Sequence, residues 1–263
     1  MRTIIHLSDL HFGSILEATL EPLIELLWSL KPDLVIISGD LTQRAKPDQF
    51  VAAQRYLERM PSPRLVVPGN HDIPLYNVWR RFVHPLAQYT AHISSDLAPS
   101  YVDEEVAVVA LNSARSLTFK GGSLSPQQVA DAVSILRHAP PTAARVVVAH
   151  HPFAIPQGLS GVAVLDGVEH AMREFAACNV NMFLAGHLHL IHYASAAMYV
   201  PGFNAAILQA GTATSNRARG EPNSFFVLRV RADSTAVEVQ QWNAKQRTFA
   251  VADTRMLPRN GDA

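Results

Sequence analysis

Five short apolar runs in this chain each end in a cluster of metal-binding side chains. TIIHLS leads into Asp9 and His11, DLVIISG into Asp40, RLVVPG into Asn70, His71 and Asp72, RVVVA into His150 and His151, and NMFLAG into His187 and His189. Runs this short and this rich in Ile and Val read as buried strands. In open α/β sheets, sites are built from side chains just past the carboxyl ends of such strands. One cluster would carry little weight. Five in the same place relative to their strands predict a single site assembled from distant parts of the chain.

The sequence between the runs predicts helices around Glu17 to Leu30, Pro47 to Met60, Asn77 to Tyr89, Ser125 to His138 and Asp166 to Cys178, with a further strand from Val106 to Asn112. Proline at the start of the second helix and the SPQQ capping pattern at the start of the fourth are start signals. Strands alternating with helices imply parallel βαβ units. The stretch 74–105 interrupts that rhythm straight after the GNHD cluster, which makes it a candidate wall or lid inserted beside the site. Beyond His189 the pattern changes to short β-type runs at 191–199, 205–208, 225–231, 236–241 and 248–252, a β-rich part covering 190–252. These suggest an antiparallel second sheet, and the tail from Pro258 onward is expected to be disordered. With no linker, repeat or low-complexity segment, one domain over 1–263 with two packed sheets is the simplest organisation.

Composition removes several function classes. The formal net charge of the 263 residues is zero, against the strong basic excess expected of a dedicated nucleic-acid surface, so no nucleic-acid partner is expected. No run approaches the ~18 apolar residues of a membrane span. Cys178 is the only cysteine, which rules out a disulfide within the chain and any zinc site built on two or more thiolates. Its place before a buried strand reads as a small core residue. Met1 and Arg2 run straight into the first strand with no apolar leader, so a cytoplasmic location is expected.

Residues two apart in extended backbone point to the same side, so Asp9 with His11 and His187 with His189 are expected to present paired ligands. Adding Asp40, Asn70 and His150 gives imidazole, carboxylate and amide donors without thiolates, a set suited to Mn, Fe, Zn or Co. Seven donors are too many for one four-coordinate ion. With one bridging carboxylate they suit two divalent ions about 3.5 to 4 Å apart, the spacing of a hydrolytic two-metal clamp.

D-x-H, GD, GNHD, H and GH-x-H, in this order from Asp9 to His189, resemble the calcineurin-like metallophosphoesterase superfamily. Within it, the compact GNHD, the HHP form of the fourth cluster and the GGSLSPQQ segment resemble bacterial class III cyclic-nucleotide phosphodiesterases. The resemblance implies an α/β fold, a four-layer αββα sandwich of two mixed β-sheets flanked by helices. It implies one metal held by Asp9, His11, Asp40 and His189 and another by Asp40, Asn70, His150 and His187, with Asp40 bridging. His71 would then stabilise the transition state and protonate the leaving alkoxide, and Asp72 would orient His71 through a hydrogen bond. Asn70, His71 and His189 would meet the substrate. His151 matches no ligand position and is expected beside the ligands or in the pocket wall.

The implied activity is hydrolysis of small phosphodiesters, with 3′,5′-cyclic nucleotides such as cyclic AMP as first candidates, by metal-activated hydroxide. The rivals are a broad-specificity phosphomonoesterase, a hydrolase of nucleotide-sugar lipid pyrophosphates, and a nuclease. A non-catalytic scaffold should have lost ligands, and every expected ligand is present. Two segments are expected to shape the pocket or to be surface hairpins. Phe153 to Leu165 reads as a lid or the contact of a homodimer, and SNRARG from Ser215 to Gly220 as an anion clamp through Arg217 or Arg219. Tyr76, Trp79 and Phe153 are the aromatic side chains expected in the walls around a small-molecule phosphoester.

Overall fold

The computed structural model describes residues 1–75, 78–118, 121–217 and 220–259, with only the backbone of Val78 and Arg80. Two six-stranded sheets face each other. The first contains the parallel strands β1 (Arg2–Leu7), β2 (Leu34–Ser38) and β3 (Arg64–Val67). The second is built on β5 (Val106–Leu111), β6 (Ala144–Ala149) and β7 (Met182–Ala185), also parallel. Each of these strands is buried along almost its whole length, because both of its faces are covered.

Alternation along the strands divides the core into three layers. Ile4, Leu34, Ile36, Val67, Val108, Val146, Val148 and Leu184 meet between the sheets. Ile5, Leu7, Val35 and Ile37 face outward to helices α1 (Leu20–Leu30), α2 (Pro47–Glu58) and α4 (Ala87–His92). Ala107, Val147 and Phe183 face α5 (Pro126–His138) and α6 (Val168–Ala176) on the other side. The result is the expected αββα sandwich. Ser125 caps α5 through the predicted box, accepting from the Gln128 N–H at 3.2 Å.

The C-terminal strands do not form an antiparallel sheet of their own. Strands β10 (Ser224–Val230), β11 (Ser234–Asn243) and β12 (Thr248–Pro258) extend the first sheet from β1, giving the order β12-β11-β10-β1-β2-β3. Strand β9 (Ala206–Gln209) joins the second sheet parallel to β7, and β8 (His192–Ser195) pairs antiparallel with β9. Both parallel cores would otherwise leave an unpaired edge, and the late strands satisfy one edge each. Strand β12 runs six residues past Ala252 because pairing with β11, not burial, holds its exposed and polar end. Pro258 therefore belongs to a strand, and the tail beyond residue 259 lies outside the described residues.

The 74–105 segment is not a lid throughout. The single helix expected there is two, α3 (Val78–Val83) and α4, separated around Pro85, whose missing N–H interrupts helix hydrogen bonding. Tyr89 on α4 is fully buried and donates to the Val66 carbonyl at 2.9 Å, and β4 (Ser100–Val102) forms an edge of the second sheet. Among the described residues of this segment, α3 carries the exposed aromatic side chains, with Trp79 74% and Phe82 53% accessible. Phe153 is likewise a core residue, packed on Phe183 with ring centroids 5.1 Å apart, and not a pocket wall. Tyr76 lies outside the described residues. No helix among the described residues is long and apolar enough to cross a membrane.

Candidate metal centre

The five strands β1, β2, β3, β6 and β7 end at one edge of the sandwich, and the residues just beyond them converge there. The convergence comes from kinked backbone and not from the extended pairing expected. Asp9, His11, Asp40, His187 and His189 all have left-handed φ, at 56°, 51°, 53°, 75° and 59°. Such a conformation costs a residue other than glycine on the order of 1–3 kcal/mol and persists where surrounding structure enforces it. Here the enforcement is visible. The Asp9 N–H donates to the Gly39 carbonyl at 3.1 Å, the His11 N–H to the Asp40 carbonyl at 2.9 Å, and the Gly186 N–H to the His150 carbonyl at 3.0 Å.

Asp9, His11, Asp40 and His189 form one group, with ligand atoms within 4.8 Å of one another. His189 Nε2 lies 2.9 Å and His11 Nε2 3.4 Å from Asp9 Oδ1, and the two Nε2 atoms are 3.1 Å apart. On the other side, Asn70 Oδ1 lies 3.1 Å from His150 Nε2 and 3.0 Å from His187 Nδ1. Asp40 stands between the groups, with Oδ2 3.5 Å from His11 Nε2 and Oδ1 3.4 Å from His150 Nε2.

This donor set fits two cations. His189 Nδ1 donates to the Arg217 carbonyl at 3.1 Å and His150 Nδ1 to the Ser38 carbonyl at 2.8 Å, so both rings turn an Nε2 lone pair inward. Asp9 Oδ2 is occupied by the Ser8 hydroxyl at 2.6 Å and the His187 N–H at 2.8 Å, leaving Oδ1 to face the imidazoles. Lone pairs crowded this closely in a buried site need positive charge between them. Without metal, protons supply it. Burial would raise the Asp9 and Asp40 carboxyls, but the histidines around them hold both well below the carboxylate range. Burial opposes protonation of His150, yet Asp40 raises its pKa to about 9, while burial and the His150 charge lower His187 to about 3.

The motif glycines make room for these carboxylates. A Cβ on Gly69 would collide with Asp40 Oδ1 and the Asp40 backbone nitrogen, and one on Gly186 with the Ser8 hydroxyl that holds Asp9. His71 sits on the rim, its ring at 83° to that of His11 with centroids 4.9 Å apart. Asp72 does not orient it. The buried Asp72 carboxylate accepts from the N–H groups of Gly69, Leu41 and Thr42 at 2.9, 3.1 and 2.9 Å and from the Thr42 hydroxyl at 3.0 Å, tying the β2 loop to the β3 loop. His71 Nδ1 instead donates to the Gln43 carbonyl at 2.9 Å. A backbone acceptor leaves no trace in residue type, so sequence reasoning missed Gln43.

His151 stands beside the candidate ligands, one of the two places expected of it. Its ring centroid lies 4.9 Å from those of both His150 and His187, and the three residues offer nitrogens within 4.8 Å of one another. Nδ1 bonds to the Ser113 hydroxyl at 2.8 Å, Nε2 has no hydrogen-bond partner among the described residues, and burial with the neighbouring His150 charge holds the pKa well below the usual range. The doubled histidine was the only sequence signal for it. Ser8 and Ser38 also escaped notice, although the Ser38 carbonyl receives both His150 and the Ser8 hydroxyl. Of the two arginines singled out, Arg217 reaches His71, and Arg219 lies outside the described residues.

Comparison with known proteins gives the family and the fold. Residues 2–190 match the family model described as calcineurin-like phosphoesterase. A glycerophosphodiester phosphodiesterase, GpdQ, from Enterobacter lignolyticus is 38% identical over 42 residues, a match covering 16% of this chain and 15% of that protein. A dimetal phosphatase from Danio rerio superposes with a TM-score of 0.70 at 13% identity, over 98% of this chain and 99% of the other. A purple acid phosphatase from yellow lupin, Lupinus luteus, gives 0.73 at 12% identity, over 98% of this chain and 54% of the other. At such identities the structural likenesses establish the fold.

Proposed function

The chain belongs to the calcineurin-like phosphoesterase family, and we propose that it is a di-metal phosphodiesterase acting on small phosphodiesters, with 3′,5′-cyclic nucleotides such as cyclic AMP as first candidates. The observation that carries this reading is the Asp40 carboxylate, which turns one oxygen to each of two donor groups drawn from both sheets. Asp9, His11, Asp40 and His189 would hold one divalent ion, and Asp40, Asn70, His150 and His187 the other. Bound Mn, Fe, Zn or Co would supply an activated water and neutralise phosphoryl oxygens.

The protein's own groups do the rest. Asn70 would meet both a cation and a phosphoryl oxygen, and His189, from the opposite sheet, would also meet the substrate. His71 lies outside both donor sets, so once the Arg217 guanidinium 3.2 Å from its Nε2 moves aside, that nitrogen would hold a proton for the departing alkoxide. Asp72 fixes the loop that carries Asn70 and His71, which makes it a positioning residue. The short match to a phosphodiesterase supports a diester substrate, and the exposed aromatic side chains of α3, which follows the GNHD cluster in the chain, would give surface for its second ester group. The single, buried Cys178 fits the cytoplasm as the compartment.

The test is a panel of the purified protein with Mn, Fe, Zn or no metal on cyclic AMP, cyclic GMP, an aryl diester and the matching aryl monoester. A higher kcat/KM for the aryl diester, with measurable cyclic AMP hydrolysis, is expected. Preference for the monoester across all metals would overturn the diesterase reading. An active aryl diester beside inert cyclic nucleotides would remove only the cyclic-nucleotide assignment.

A further inference from the structure

Arg217 lies in the loop after β9 and is fastened by its backbone to the candidate centre. Its N–H donates to the Ser215 hydroxyl at 3.1 Å, and its carbonyl receives His189 Nδ1 at 3.1 Å. The exposed side chain then crosses to two other loops, placing Nη1 3.3 Å from Gln43 Oε1 and 3.2 Å from His71 Nε2. Because His71 Nδ1 gives its proton to the Gln43 carbonyl, Nε2 is the acceptor from Arg217. The guanidinium therefore covers the nitrogen assigned above to the leaving group. No carboxylate among the described residues lies within 4.0 Å of it.

We propose that Arg217 is a specificity-determining residue that selects phosphoesters whose leaving group carries an anionic group of its own, a phosphate or a carboxylate. The inference rests on the phosphoesterase reading and extends it to the substrate class. A leaving oxygen must come within hydrogen-bond reach of His71 Nε2, about 2.6–3.2 Å, and so must take the position now held by Nη1. The displaced guanidinium stays beside the atoms attached to that oxygen. A neutral leaving group offers it nothing for the two contacts it gives up. An anionic one replaces them with charge-assisted bonds, which a planar guanidinium fork makes in pairs to carboxylate or phosphate. A cyclic mononucleotide brings no second anion, so linear esters with an anionic leaving group should rank above it.

Two methyl aryl phosphodiesters test this, one releasing 4-hydroxybenzoate and the other its methyl ester, assayed with metal-loaded wild type, Arg217→Gln and Arg217→Lys. The readout is the ratio of kcat/KM, anionic over neutral, compared between proteins so that intrinsic leaving-group differences cancel. The ratio should fall about tenfold or more in Arg217→Gln, as expected for loss of a hydrogen bond to a charged group, and only partly in Arg217→Lys. An unchanged ratio in Arg217→Gln, with both esters slowed alike or not at all, would overturn the role. If only monoesters are cleaved, the diesterase reading fails separately, and the same ratio measured on the two aryl monoesters decides Arg217.

Discussion

Asp40 carries the strongest residue-scale argument, because one side chain connects donors that arrive on different sheets. Its neighbour His150 makes the electrostatics testable. In the metal-free chain its pKa stands at about 9, above the ordinary histidine value of 6.5, so a proton occupies the ligand at neutral pH and must leave when metal binds. The raised pKa of His189 acts in the same direction. Apparent Mn affinity, measured by chelator competition, should therefore rise at least about tenfold per pH unit from about pH 7 to 8.5 and level off above about 9. A flat profile would show that His150 is not displaced by metal. His71 makes the opposite prediction, since it belongs to neither donor set. His71→Ala should keep its metal, lose ~10²–10⁴ in kcat on an ester with a poor leaving group, and lose less on an activated aryl ester. Equal losses on both esters, or loss of metal, would remove His71 from the leaving-group role. Residue types made the seven candidate ligand positions legible, because few side chains offer such donors after a strand. The carbonyl of Gln43 and the hydroxyl of Ser8 were not legible, since backbone acceptors and small hydroxyls carry no distinguishing pattern.

Strands β1, β2 and β7 are each followed by a kink that aims a side chain, and after β2, β3 and β7 a glycine makes room for the side chains packed against it. Gly69 and Asp40 each stand just past the ends of the adjacent parallel strands β3 and β2, at a separation too small for a Cβ. Gly69→Ala should therefore push the Asp40 carboxylate away and abolish metal retention by elemental analysis while circular dichroism still shows a folded chain. Gly121→Ala serves as the control, because its Cβ would make only ordinary contact with Thr118 at 3.7 Å. Equal metal content in the two variants would contradict this account of the GNHD glycine. The helices and first strands could be read from periodicity. The break at Pro85 and the exposed half of β12 could not, the first because α3 and α4 share one amphipathic stretch, the second because pairing alone sustains an exposed edge strand.

For the whole molecule, the two sheets matter because neither carries a complete site. The first contributes Asp9, His11, Asp40 and Asn70, and the second contributes His150, His187 and His189. The layer between them, filled by residues such as Ile36, Val148 and Leu184, sets the distance between the two halves. Composition and strand order predicted two packed sheets but misplaced the late strands, since a strand's partner depends on which edge is open and not on its place in the chain. The central claim is that this junction holds two ions with Asp40 between them. Crystals of Mn-loaded protein, measured at the Mn absorption edge, should show two anomalous peaks per chain about 3.5 to 4 Å apart, with one Asp40 oxygen at each or a single oxygen shared. A single peak, or two peaks with Asp40 bound to neither, would contradict the account.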